Sequence, residues 1–353
     1  MVTRAFLLGG SLLALLGTGA CALVLGFEDH EPFPEPAGGS AGAAASGGLG
    51  GQGGTGGQAG ASGGQGGVGA VGGSGGEGGE GGAGTVAVLL IPDAAENSVG
   101  MYDPSDGHYL GDFIPPYAGT EPYELLTPHS AVQGPDGLIY LSDQLADAIY
   151  RFAGDASFVD LFADASDGLD NVRGIDFRDD ELFVSVSPGS VAPFVARFDL
   201  NGNRQADFVA DSSDPFDVHF LPNGTMLLAN IEAPSDVRLY DVNGGSYDAL
   251  FAIDFPQQLQ SLSNGNHLAA GWVQAQEFGI DGTIIRTVAG LDAASGIWGL
   301  DSGNWLIVSD DGVQVVNPFS QQVVATQRVG MAFMKIERAQ LPPKTLEDAL
   351  LDR

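Results

Sequence analysis

Seven polar residues fall at two successive places of a phrase that recurs along this 353-residue chain. The first place holds His129, Val172, Phe216, Gln257 and Ser295, and the second Ser130, Arg173, Asp217, Gln258 and Gly296. Imidazole, guanidinium, carboxylate, amide and hydroxyl groups brought to one mouth of a fold would recognise a small polar ligand. Arg173 and Asp217, in neighbouring copies of the phrase, would either grip such a ligand or pair with each other and lock two copies together. The candidate ligand-binding residues are therefore His129, Ser130, Arg173, Asp217, Gln257, Gln258 and Ser295, with no residue assigned to catalysis.

Several other chemistries lack their signatures. The histidines are scattered, with no HxxxH or HExxH pair to hold zinc on a helix. No GxSxG stands at a strand-to-helix turn, and Cys21, the single cysteine, lies in an N-terminal apolar segment. The stretch 199–210, "DLNGNRQADFVA", invites comparison with a calcium loop, but Arg204 and Ala210 occupy the places that need Gly and a bidentate Glu. Asp93, Asp143 and Asn230 share one repeat place where Asp caps a turn. A shared calcium role for these three is the alternative, and otherwise no cofactor is expected.

What must position these side chains is a repeat. "PHSAVQGPDGLIYLSD" (128–143) aligns without gaps against "NVRGIDFRDDELFVSV" (171–186), "PFDVHFLPNGTMLLAN" (215–230), "PQQLQSLSNGNHLAAG" (256–271) and "ASGIWGLDSGNWLIVS" (294–309). Each copy is an apolar-rich run, a turn around Asp136-Gly137, Asp179-Asp180, Asn223-Gly224, Asn264-Gly265 or Ser302-Gly303, and a second apolar run, which is the pattern of a hairpin. A second hairpin follows most copies, as in "IYRFAGDASFVDLF" and "VRLYDVNGGSYDALF", and "VAVLLIPD" with "VGMYDPSDGHYLGDF" adds a unit before the first full copy. Four strands recurring about every forty residues predict an all-β, six-bladed β-propeller over 86–340. Its blades are marked by starts near Val86, Leu138, Leu182, Met226, His267 and Trp305, and "MAFMKIERA" (331–339) supplies the strand that closes the ring. Residues 341–353 form a tail with the chain's only helical periodicity.

The wording "P-x-x-A-V-x-x-x-D-G-x-I-Y-L-S-D … I-Y-R-F" of residues 128–152 resembles the NHL repeat and the related propellers of the SMP-30/gluconolactonase type. That resemblance implies metal ligands at the first place of each phrase, with a glutamate in the first blade. Here two of the five first-place residues are apolar, Val172 and Phe216, and the glutamate phrase is missing. A hard cation wants several converging oxygens, so no metal site and no lactonase activity are expected. A binding or interaction module is the leading expectation; a lyase or lactone-type hydrolase at the channel mouth, using His129, Arg173 and Asp217, is its rival.

Residues 1–21 carry Arg4, an apolar stretch and Thr18-Gly19-Ala20 ahead of Cys21, which is the layout of a secretion signal. The segment resembles a bacterial lipoprotein signal with Cys21 as the lipidated residue, departing from the pattern at Thr18, where an aliphatic residue is usual. An uncleaved anchor continuing through "CALVLGF" is the alternative. Ala22 after the cysteine resembles outer-membrane sorting in a Gram-negative cell envelope. Residues 22–85 run from acidic and Pro-containing to Gly-rich, cannot build an apolar face, and are expected to be a disordered tether. With 45 acidic against 13 basic residues and a net charge of −32, nucleic acid is excluded as a partner. The expected partners are the membrane, through the lipid or anchor, and a protein or small molecule bound by a monomeric propeller.

Overall fold

A computed structural model describes residues 84–351, apart from Asp211 and Met331. The expected signal, Cys21 and the Gly-rich tether lie outside the described residues. The described chain folds into six antiparallel sheets arranged as the blades of a propeller. Blade one holds β1 (Val86–Asp93), β2 (Ser98–Tyr102) and β3 (Tyr109–Ile114). Blade two holds β4 (Pro128–Gln133), β5 (Ile139–Asp143), β6 (Ala148–Phe152) and β7 (Phe158–Ala163). Blade three has β8 (Val172–Arg178), β9 (Glu181–Val186) and β10 (Phe194–Asp199). Blade four has β11 (Pro215–Phe220), β12 (Met226–Asn230), β13 (Asp236–Tyr240) and β14 (Tyr247–Ala252). Blade five runs β15 (Gln258–Ser261), β16 (His267–Gly271), β17 (Gln274–Phe278) and β18 (Ile284–Ala289). Blade six runs β19 (Gly296–Gly299), β20 (Trp305–Ser309), β21 (Gly312–Asn317) and β22 (Gln322–Arg328). The last strand, β23 (Glu337–Leu341), pairs with β1 from Val86↔Leu341 to Leu90↔Glu337 and becomes the innermost strand of blade one. The ring is thus closed by the segment expected to close it, with strand pairing starting at Glu337; ahead of it, Phe333 bridges Asp93.

The six predicted starts mark the second strand of each blade. These strands are buried along their whole length in "IYLSD", "MLLAN", "HLAAG" and "WLIVS". Such strands are covered on both faces, which is why they read as continuous apolar runs rather than alternating ones. The core is accordingly divided among the interfaces between blades. Leu90 and Met101 of blade one pack with Leu141 and Phe152 of blade two. Phe183 and Val195 of blade three pack with Leu228 and Tyr240 of blade four.

Blade three departs from the four-strand pattern. Among the described residues its outer segment forms no continuous strand and pairs at the isolated bridges Phe198↔Arg204 and Val195↔Val209. Asp199 gathers the turn, accepting from Asn201 N at 2.9 Å and Asn203 N at 3.0 Å. The Arg204 guanidinium then lies over Phe194 and Phe198 and pairs with Asp207, which draws the chain off a regular ladder. The C-terminal segment forms a helix, α1 (Pro343–Leu351). Its Leu346 and Ala349 rest on the core of blades one and two, and Thr345 Oγ1 donates to Gly154 O at 2.8 Å.

Candidate functional site

The hairpin between the first and second strands of a blade decides which side chains reach the same level of the central channel. Five residues separate the paired Gln133 and Ile139, Phe220 and Met226, Ser261 and His267, and Gly299 and Trp305. In those turns Gly137, Gly224, Gly265 and Gly303 take φ between 82° and 85°, the left-handed region glycine adopts without strain. Blade three has only four residues, 178–181, between the paired Phe177 and Leu182. Its inner strand is therefore displaced by one residue, and the ungapped alignment of that strand is corrected. Val172 leaves the first ring and Arg173 takes its place.

The first ring consists of His129, Arg173, Phe216, Gln257, Ser295 and Met334. The second, one residue further along the strands, is Ser130, Gly174, Asp217, Gln258, Gly296 and Lys335. Strand pairing supports these levels, since Ser130 faces Ser142, Asp217 faces Ala229, Gln258 faces Ala270 and Gly296 faces Val308. Met334 N donates to Pro92 O as Gln257 N does to Ala270 O and Ser295 N to Val308 O.

Arg173 and Asp217 do not pair. Arg173 Nη1 lies 3.6 Å from Asp214 Oδ1, and its guanidinium stacks over the Phe216 ring at 4.6 Å from the centroid. Asp217 Oδ1 instead faces Lys335 Nζ at 2.8 Å, with both side chains sealed from solvent. The opposite-charge lock between blades exists, but its cation comes from the closing segment.

The seven candidates divide by what their polar atoms do. Gln258 ties blades together: Nε2 donates to Ile336 O at 2.6 Å, while Oε1 accepts from Ile297 N at 2.8 Å and Ile336 N at 3.0 Å. Ser295 Oγ donates to Phe333 O at 2.6 Å, and Asp217 Oδ2 accepts from Leu259 N at 2.8 Å. His129, Ser130, Arg173 and Gln257 are different. Both imidazole nitrogens of His129, the Ser130 hydroxyl, Arg173 Nε and Nη1, and both amide atoms of Gln257 are buried with no hydrogen-bond partner. His129 lies against Phe216 with ring centroids 5.1 Å apart, so His129 and Arg173 converge on one aromatic ring. Burial holds His129 neutral, with the neighbouring charges of Arg173 and Lys335 adding to the effect, and its pKa falls to about 3. Burial also lowers Arg173 to about 10, against the pull of Asp214.

Toward the other end of the inner strands lies a second polar group, which the repeat phrases did not single out. Lys335 Nζ contacts Glu337 Oε1 at 2.7 Å as well as Asp217, and donates to Ile175 O at 3.3 Å. Burial opposes the lysine charge, but Asp217, Glu337 and Asp176 together outweigh it and hold the ammonium protonated. Burial pushes Glu337 up to about 7 despite Lys335, with Asp176 and Asp217 adding repulsion. Beside this cluster, His219 Nδ1 faces Asp176 Oδ2 at 3.6 Å, and His219 Nε2 meets Ser261 Oγ at 2.8 Å. Ser261 Oγ also meets His267 Nδ1 at 3.1 Å. Aligned without a gap, Asp176 stands one place away from His219; the shortened turn of blade three puts the two at one level. Among the described residues no three His, Cys, Asp or Glu side chains converge as a metal site. Asp93 Oδ1 accepts from Ala95 N and Glu96 N, Asp143 holds Leu126 N and Thr127 N, and Asn230 Oδ1 accepts from Asp214 N. These three act as turn caps.

No protein-family model and no curated sequence matches the chain. Among solved structures it is similar to a chain of a nidogen/laminin complex, at 12% identity over 72% of this chain and 98% of that one, with a TM-score of 0.59. It is also similar to a protein of unknown function from Bacteroides caccae, at 15% identity over 72% and 98%, TM-score 0.52. A gluconolactonase from Xanthomonas campestris matches at 14% identity over 70% and 87%, TM-score 0.47. The class defined by fold and neighbours is the six-bladed β-propeller. At these identities the likeness is one of architecture, and propellers carry unrelated functions on it.

Proposed function

We propose that this protein is a binding module, an exported propeller tethered at the cell envelope through Cys21 and the Gly-rich segment, that takes a small polar, anionic ligand at the first ring. One observation carries this: His129, Ser130, Arg173 and Gln257 hold buried polar atoms with no hydrogen-bond partner inside the protein, Arg173 having only the longer ion pair to Asp214 at 3.6 Å. Buried polar groups are otherwise almost always satisfied, so these call for waters or a ligand. The guanidinium supplies the charge, the Gln257 amide and the neutral imidazole supply both donor and acceptor, and Phe216 supplies a flat wall. The same ring argues against chemistry at this place, because neither His129 nitrogen meets Ser130, so no base is aligned on a hydroxyl. It argues equally against a divalent cation, which would meet a guanidinium, an aromatic ring and a thioether.

A thermal-shift screen of the purified protein with short carboxylates, sugar acids and phosphorylated sugars tests the site. A ligand should raise the melting temperature of the wild type and not of Arg173→Gln. No response from any anion, or an equal response from both proteins, would refute the assignment. For the tether, Cys21→Ser should move the protein from the membrane fraction to the soluble one.

A further inference from the structure

We propose that Ser261, His219 and Asp176 form a second site, a serine nucleophile with its general base and positioning carboxylate, that hydrolyses carboxylic esters at the end of the channel opposite the first ring. The three come from the inner strands β15, β11 and β8 of consecutive blades, so rigid strands hold them, not loops. Ser261 Oγ lies 2.8 Å from His219 Nε2, within the distance over which a base takes a proton. His219 Nδ1 faces Asp176 Oδ2 at 3.6 Å. Asp176 is fixed by two backbone amides, Phe177 N to Oδ1 and Phe220 N to Oδ2, each at 2.7 Å.

The protons can be placed. Asp176 favours the His219 tautomer with its proton on Nδ1, which leaves Nε2 bare to accept from the Ser261 hydroxyl. The hydroxyl has one proton to give, so His267 Nδ1, 3.1 Å away, donates to Oγ instead of accepting. Oγ then attacks an ester carbonyl carbon while its proton passes to His219 Nε2. The carbon–oxygen bond to the leaving alcohol breaks, and that alcohol takes the proton from His219. Water, deprotonated by the same nitrogen, cleaves the acyl-serine and restores the hydroxyl. Ser261, His219 and Asp176 are all partly open to solvent. Asp176 and Glu337 are partly exposed at this end, and behind them the buried Asp217 faces the single ammonium of Lys335, leaving carboxylates in excess. That excess of carboxylates selects neutral or cationic esters over anionic ones.

The groups facing His219 are Asp176, Asp217, Lys335 and His267. Burial holds its pKa down at about 4, with Lys335 and His267 adding to the shift and Asp217 opposing it. The base is therefore free at neutral pH, and the rate should be flat above pH 6 and fall below pH 5.

The test is labelling of the full chain with a fluorophosphonate, with the labelled residue identified by mass spectrometry, alongside turnover of p-nitrophenyl acetate. Label should appear on Ser261, with turnover falling about 100-fold or more in Ser261→Ala and His219→Gln. Ser263→Ala, an exposed neighbour, should leave both unchanged. Asp176→Glu should recover more rate than Asp176→Ala, which separates positioning from folding. An unlabelled Ser261 in the folded wild type would overturn the proposal whether or not any variant folds. So would label that forms at the same rate in a folded His219→Gln protein.

Discussion

Lys335→Met removes the one ammonium that faces Asp217 at 2.8 Å and Glu337 at 2.7 Å, while the unbranched methionine side chain, one atom shorter than lysine, keeps most of the packing. Asp217 is fully buried, and Glu337 is partly buried with 19% of its side chain exposed. Stripping one partner from a buried ion pair costs about 3–5 kcal/mol, because the remaining charge is left uncompensated. For a propeller of this size that is a drop in melting temperature of roughly 10 °C. The penalty must depend on pH. Lys335 lowers the pKa of Asp176, Asp217 and Glu337, so without it all three rise further. A carboxyl whose folded pKa is raised keeps its proton where the unfolded chain has lost it, so stability falls as pH rises between the two values. Glu337 already spans the window from 4.5 to about 7. The variant's deficit should thus be largest near pH 8 and shrink toward pH 5, as read by urea unfolding at both. Lys335→Met with Asp217→Asn should recover part of the loss. A deficit below about 1 kcal/mol, or one equal at both pH values, would refute the electrostatic account of ring closure.

Three further outcomes follow from the same geometry. Gly174→Ala would place a methyl 2.7 Å from Asp217 Cα and 2.9 Å from Phe216 O, where backbone cannot yield cheaply, and should cost about 1–3 kcal/mol by urea denaturation. His129, held at about 3 by burial and by Arg173 and Lys335, stays neutral where the unfolded chain takes up a proton. His129 alone therefore withdraws stability as pH falls below 6.5, by about 2 kcal/mol at pH 5, and His129→Gln should lack that contribution relative to the wild type; parallel pH profiles of the two proteins would contradict it. Deleting 331–341 strips β1 of its inner partner and should give aggregation and a large fall in soluble yield.

The architecture was legible because each blade repeats its turn chemistry. Asn223 Oδ1 accepts from Thr225 N, and Asn264 Oδ1 from Asn266 N. Glycine follows each asparagine at positive φ, so the phrase "N-G" marks the hairpin directly. The buried second strands, "MLLAN" and "HLAAG", are equally plain, since strands covered on both faces must be apolar throughout. The closing cation was not legible. "MAFMKIERA" reads as the missing strand, yet it carries no turn phrase of its own, and nothing in its composition places Lys335 at the level of Asp217.

The chemistry of the channel depends on a column of the repeat being read in the right register. In a propeller, equal positions of successive blades form a ring, so an active constellation appears in sequence as residues one blade apart. Ser261 follows His219 by 42 residues. The ungapped alignment keeps His219 and Ser261 in adjacent columns of blades four and five, but it places Asp176 beside Phe220 instead of His219. The error originates in the turn at 178–181, one residue shorter than its counterparts, where Asp179 at φ 55° takes over the left-handed position that glycine fills elsewhere. A missing glycine in a repeating turn is thus the physical sign that the inner strand has slipped. Moving blade three by one residue transfers Arg173 to the ring of unpartnered atoms and Asp176 to the level of His219, so that one turn determines the membership of both sites.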